Sequence, residues 1–324
     1  MAVYTEVSDD ELANFIAGYD LGDLMSFKGI AEGVENTNYF LHTTAGTFIL
    51  TLYEKRVARE DLPFFLGLME HLASRGISCP TPLRDSRGHN LNELAGRPAT
   101  IISFLEGFWV RRPTPAHCHA VGKAMAQMHL SGDGFALKRA NALGVSGWQP
   151  LYQEFADRCR EISPDLGGLI EDELADLTGA WPRDLPMGVI HADLFPDNVF
   201  FLADKLSGLI DFNFACNDAL AYDIAVCLNA WCFEQDLSFN VTKGRALLRG
   251  YEEVRPLTAS ECAAMPTLAR GAAMRFLLTR AYDWLNTPKD ALVSPKNPME
   301  YVRRLRFHQG VGSISDYGRE DGTA

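Results

Sequence analysis

The sequence changes its periodicity once, near residue 105, and that change limits the fold more than any other feature. Before it, short runs rich in aromatic and β-branched residues occur at 24–29, 38–43 and 47–53, the last two joined across Ala45-Gly46. They read as an antiparallel meander. Two further strands are expected at 90–94 and 99–104, after a helical stripe of Leu62, Phe65, Leu66, Met69 and Leu72 that stops at Gly76. An amphipathic helix opens the chain, marked by the capping box Ser8-Asp9-Asp10-Glu11 and by Leu12, Phe15, Ile16 and Tyr19 at helical spacing. Beyond residue 105 the strand signal almost vanishes. Helical stripes follow at Val121/Ala124/Met125/Met128, at Leu151/Phe155/Cys159 and from 266 to 284. Only three short apolar pieces, 188–190, 199–202 and 209–210, interrupt them. The expectation is an α+β fold with a sheet-rich lobe over 1–105 and a mainly helical lobe over 106–310. Residues 311–324, rich in Gly, Ser and acids, read as a loose tail.

The polar loops between those apolar pieces carry the chemistry. His191-Ala192-Asp193-Leu194-Phe195-Pro196-Asp197-Asn198 fits the pattern H-x-D-x-x-x-x-N, and thirteen residues after Asn198 an apolar run ends in Asp211-Phe212-Asn213. The pair resembles the catalytic loop and D-F-G of protein kinases. Phosphoryl transfer needs hard oxygen ligands for Mg²⁺, which one carboxylate and one amide oxygen supply beside the nucleotide phosphates. Asp211 and Asn198 are the candidates. It also needs an acceptor hydroxyl held in line, and Asp193 can orient an alcohol and take its proton. His191 is expected to support the loop by packing, and Asp223, at the start of a helix, to accept backbone N–H groups from it. Near the N-terminus, Gly29 and Gly33 flank a loop between two strands where backbone amides can approach phosphates. Asn36 ends the same loop. No G-x-x-x-x-G-K-[ST] occurs, which disfavours a P-loop nucleotide fold.

Charge narrows the partners. A formal net charge of −12 repels nucleic acid and anionic bilayers over most of the surface, so a small molecule is the expected substrate. The seven cysteines form no C-x-x-C pair and read as reduced, mostly buried thiols of a cytoplasmic protein. The first residues lack the basic and apolar regions of a signal peptide, and no apolar run approaches the ~20 residues of a membrane span.

The order strand, Gly loop, two strands, helix, two strands, linker, then helices bearing H-x-D-x-x-x-x-N is similar to the protein-kinase-like fold of the aminoglycoside phosphotransferase and choline kinase superfamily. The likeness runs from about residue 20 to about residue 310. Flanking pieces narrow it: Gly33-Val34-Glu35-Asn36-Thr37-Asn38-Tyr39, Leu50-Thr51-Leu52-Tyr53-Glu54, Leu62-Pro63-Phe64-Phe65, Arg139-Ala140-Asn141-Ala142-Leu143-Gly144, Arg275-Phe276-Leu277-Leu278-Thr279-Arg280 and Lys296-Asn297-Pro298-Met299-Glu300-Tyr301. These resemble the bacterial homoserine kinases of this fold. The resemblance implies ATP and Mg²⁺ as cofactors, phosphorylation of the L-homoserine side-chain hydroxyl, and adenine held by the linker backbone around Ser103, Phe104 and Leu105. Two positions depart from the wider kinase pattern. Thr51 stands where a phosphate-binding Lys is expected, and an apolar residue near Phe65 replaces the Glu that pairs with it, which leaves Lys28, Lys55 and Arg56 as nearby cations. A carboxylate-bearing substrate needs a cation, for which Arg275 and Arg280 are candidates about 140° apart on one helix. Arg275 shares its face with Thr279 and Asp283 and is favoured. Another small-alcohol kinase, acting on an aminoglycoside, choline or methylthioribose, and a non-catalytic nucleotide-binding regulator are the alternatives.

Overall fold

The fold was analysed in a computed structural model that describes residues 5–30, 36–54, 57–288 and 294–320. Contacts divide the chain into two units. The first runs to Glu106 and takes back Gly208–Asn213; the second holds Gly107–Ser207 and the chain from Phe214 onward.

In the first unit, helix α1 (Asp9–Ile16) starts where the capping box places it, with Ser8 Oγ accepting from Glu11 N and the Glu11 carboxylate accepting from Ser8 N at 3.0 Å. Strands β1 (Leu24–Gly29), β2 (Asn36–Thr43), β3 (Gly46–Tyr53), β4 (Asn92–Leu94) and β5 (Arg97–Ser103) form one antiparallel sheet in the order β1-β2-β3-β5-β4. Register sets Tyr39 opposite Leu50 and Leu50 opposite Ile101, so side chains two apart share one apolar face. That face packs with Leu12 and Ile16 of α1. Helix α2 (Leu62–Ser74) carries Pro63 in its first turn, where no N–H is needed, and buries Leu62, Phe65, Leu66, Met69 and Leu72.

The second unit is mainly helical. It contains α3 (Pro115–Ser131), α4 (Val145–Gln153), α5 (Leu166–Ala180), β6 (Met187–Ile190), β7 (Val199–Leu202), β8 (Lys205–Leu209), β9 (Cys216–Ala219), α6 (Leu220–Trp231), α7 (Val241–Glu252), α8 (Ala259–Asn286) and α9 (Met299–Gln309). The last two residues of β8 belong to the first unit. Strands β6 and β9 pair antiparallel, and β7 pairs with β8. Helices α3 and α7 approach backbone to backbone: a Cβ on Gly122 would run into Leu247 O, and one on Gly250 into His119 O. Among the described residues no helix is long and apolar enough to cross a membrane. All seven cysteines are free thiols and six are buried.

Three expectations are corrected. The stripe Leu151/Phe155/Cys159 is not one helix, because α4 ends at Gln153 and Ala156–Glu161 continue as a tighter 3₁₀ coil that still buries Phe155 and Cys159. The long helix starts at Ala259 rather than 266, since Thr258 and Glu261 form a capping box and Pro266 lies inside. The segment expected to be loose from Val311 holds a 3₁₀ turn, Ile314–Tyr317, anchored by two apolar side chains. Tyr317 is fully buried against Phe239 and His308, and Arg319 pairs with Glu252 at 3.0 Å.

Candidate active site

In the second unit, α6 carries the loop that follows β6. Asp223, Cys227 and Trp231 recur every four residues and so share a helix face. Asp223 Oδ2 accepts the backbone N–H of His191 at 2.8 Å and Oδ1 that of Ala192 at 2.7 Å. Farther along the face, Trp231 Nε1 donates to Leu194 O at 2.7 Å, and the Cys227 thiol lies 3.6 Å from the same oxygen. These bonds hold a backbone that would not otherwise adopt its shape. Ala192 has φ 61°, the left-handed region that costs a non-glycine residue about 1 kcal/mol or more.

Behind Asp223 runs a buried relay. Arg255 Nη1 donates to the Tyr251 oxygen (3.1 Å), Tyr251 O–H to His129 Nδ1 (2.8 Å), and His129 Nε2 to Asp223 Oδ2 (3.0 Å). Arg255 also pairs with Glu261, in the first turn of α8, at 2.9 Å. Burial alone would raise the Asp223 pKa, but the His129 hydrogen bond, with the contribution of His191, brings it below the ordinary carboxylate value. The sequence reading missed His129 and Tyr251. Val121, Met125 and His129 lie at four-residue spacing, so the stripe on α3 contained the signal and was read one position short.

Asp193 is held from two sides. Asn198 Nδ2 donates to Asp193 O at 2.8 Å and to its Oδ2 at 3.2 Å. That commits the nitrogen of the amide and leaves its oxygen as a hard donor, as a divalent cation requires. On the other side, Arg275 Nη1 donates to Ala192 O, and Nη2 lies 3.7 Å from Asp193 Oδ1. Its guanidinium sits 4.3 Å from the Phe276 ring centroid and 5.3 Å from that of Phe214, and the residue is 2% exposed. The expectation that Arg275 receives a substrate carboxylate is therefore corrected: it is buried behind the loop and committed to it. Arg280, on another face of α8, bonds Glu300 Oε2 at 2.7 Å and Asn297 O at 3.3 Å and stacks on Tyr301. Its charge is already matched. His191 is fully buried.

In the first unit, Leu209 N donates to Ser78 O at 3.0 Å and brings Asp211 with it. Gly208 makes this approach possible, since a Cβ there would lie 2.6 Å from Ser78 O and 2.7 Å from Leu105 Cδ2. Asp211 has φ 62°, and its Oδ1 accepts from Asn213 Nδ2 at 2.7 Å. Burial, with a smaller contribution from the Asp211 charge, pushes the Tyr53 hydroxyl pKa up. Thr51 Oγ1 donates to Asn38 Oδ1 at 2.8 Å across the β2–β3 register, so a partly buried neutral pair occupies the position expected of a lysine. Phe65 is buried in α2, and Lys28 lies in β1 opposite Phe40. Gly29 ends β1 opposite Tyr39. Asn36 Oδ1 accepts from Glu54 N at 3.3 Å, just past β3, and Ser103 Oγ accepts from Thr81 N at 2.9 Å, in the segment between α2 and β4. The β5 ladder ends at Ser103, leaving Leu105, half-buried, beyond it. Gly33, Lys55 and Arg56 lie outside the described residues. Among the described residues no three His, Cys, Asp or Glu side chains form a metal site.

Comparison with known proteins gives a consistent result. The model of the phosphotransferase enzyme family matches residues 26–257. A homoserine kinase of Rhodopseudomonas palustris is 64% identical over 321 residues, covering 99% of this chain and 98% of that protein. One of Bradyrhizobium diazoefficiens is 64% identical over 319 residues, covering 98% of each. Among solved structures, an amicoumacin kinase in complex with AMP-PNP, Ca²⁺ and Ami superposes with a TM-score of 0.69 at 16% identity, covering 96% of this chain and 94% of that one. A choline kinase from Cryptosporidium parvum superposes with a TM-score of 0.68 at 13% identity, covering 93% and 94%.

Proposed function

The chain belongs to the phosphotransferase enzyme family, and from that premise we propose that it is a cytoplasmic homoserine kinase, converting L-homoserine and ATP to O-phospho-L-homoserine and ADP, a step toward threonine. The observation that carries the reading is 64% identity to a homoserine kinase over 99% of the chain. In this reading Asp193 is the catalytic residue. It accepts the substrate hydroxyl as a hydrogen bond, points that oxygen at the phosphorus and takes its proton as the new bond forms. Asn198 and Arg275 fix its orientation beforehand, so no reorganisation is needed when the substrate arrives. Asp223 keeps the loop in its left-handed turn at Ala192.

Asn198 and Asp211 are the residues that would hold Mg²⁺. When bound, that ion neutralises charge on the transferring phosphoryl group. The backbone at Gly29 would face the phosphates, and that of Ser103 to Leu105 the adenine. Thr51 brings no charge to this task. A coupled assay of ADP release with L-homoserine, choline, methylthioribose and an aminoglycoside tests the proposal. Turnover at least a hundredfold more efficient with L-homoserine is expected, and preference for any other alcohol overturns it.

A further inference from the structure

Homoserine is a zwitterion, and its pocket must satisfy a carboxylate and an ammonium on one carbon while its hydroxyl reaches Asp193. With Arg275 buried and Arg280 matched by Glu300, the carboxylate needs another cation. Lys296 lies in the segment leading into α9, and its Nζ sits 5.8 Å from the ring centroid of Phe195, inside the catalytic loop. The same ammonium lies 3.9 Å from Asp197 Oδ2, beyond hydrogen-bond reach, with the two side chains 65% and 53% exposed. Asp197 precedes Asn198 in the short turn Pro196–Asn198, and Asn198 in turn bonds Asp193. Phe195 is fixed edge-on against Phe276, 4.9 Å away, next to the residue that braces Asp193.

We propose that Lys296 and Asp197 together receive the α-carboxylate and α-ammonium of the amino-acid substrate, an inference that rests on the homoserine kinase reading. An exposed ion pair held this loosely contributes little to stability. Exchanging it for two charge-assisted contacts with a zwitterion therefore opposes binding weakly and rewards it twice. The pair also selects by repulsion. A ligand carrying only the ammonium meets Lys296 unmatched, and one carrying only the carboxylate meets Asp197 unmatched.

The test compares L-homoserine with propanolamine, which lacks the carboxylate, and with γ-hydroxybutyrate, which lacks the amine. In the wild type, kcat/KM for L-homoserine should exceed that for either analogue by a hundredfold or more. Lys296→Met should shrink the homoserine-to-propanolamine ratio at least tenfold, Lys296→Arg should hold it within about threefold, and the KM for ATP should stay within twofold in both. Asp197→Asn should shrink the homoserine-to-γ-hydroxybutyrate ratio in the same way. If Lys296→Met folds and the ratio moves less than twofold, or if both substrates lose equally, the pair is not the receptor. A wild type inert toward L-homoserine would instead overturn the underlying reading, and this proposal with it.

Discussion

Asp193 and Arg275 define what single side chains contribute. Asp193→Ala is expected to lower kcat by ~10²–10⁴ and to leave the KM for ATP nearly unchanged, the usual worth of a positioned acid–base group. A loss below tenfold in the ADP-release assay would remove it from the reacting centre. Arg275 works through Ala192 O and Asp193, so Arg275→Lys, which keeps the charge and loses the fork, should lower kcat about tenfold or more. The KM for homoserine should stay within twofold; a rise in KM alone would restore the carboxylate-binding role expected from the sequence. At this scale spacing was informative wherever residues are close in the chain. His191, Asp193 and Asn198 lie in one loop, and Asp223 was placed at a helix start from which it bonds that loop. The neighbour of Arg275 was not legible, because helical spacing says which face a residue takes and nothing about what packs on that face.

Between elements, close approach replaces single bonds as the determining feature. Gly122 and Gly250 let α3 and α7 meet along their backbones, and these helices carry His129 and Tyr251 of the relay. Gly122→Ala or Gly250→Ala should therefore destabilise the protein by about 1–3 kcal/mol in urea unfolding, as overpacking does. No loss of stability in either variant would mean that the helices can slide apart without consequence. The C-terminal turn is governed by His308. Burial, aided by the Arg304 charge, lowers its pKa from 6.5 to about 3, while Asn229 Oδ1 and the Tyr317 hydroxyl satisfy its neutral ring. The unfolded chain binds a proton near pH 6.5 that the folded chain refuses until about pH 3. Stability should thus fall with acidification across that window by about 1.4 kcal/mol per pH unit. His308→Gln should flatten this slope in urea titrations between pH 6.5 and 4.5, and an unchanged slope would assign it to other groups. Periodicity revealed most of these elements but not the turn at Ile314–Tyr317, whose two anchors are too few to form a stripe.

For the whole molecule, the change of periodicity near residue 105 made the α+β character legible, and the order of the strands before it followed from turn residues and short spacings. What periodicity could not reveal is that Gly208–Asn213, from the middle of the helical half, joins the first unit through the Ser78–Leu209 hydrogen bond. A six-residue segment lacks the length to declare a partner so distant in the chain. A fragment ending at Glu106 would leave Ser78 O without that donor. It should unfold at lower urea than the same fragment supplied with a peptide of residues 205–214, and equal midpoints would show the segment to be dispensable. The consequence reaches beyond stability. Because residues of one unit are encoded inside the other, no single cut in the gene separates them, so the two cannot be exchanged between relatives as cassettes. A chimera that swaps residues 1–106 alone takes Ser78 from one parent and Asp211, with the Leu209 N–H that bonds Ser78, from the other, and recombination should succeed only where both pieces travel together.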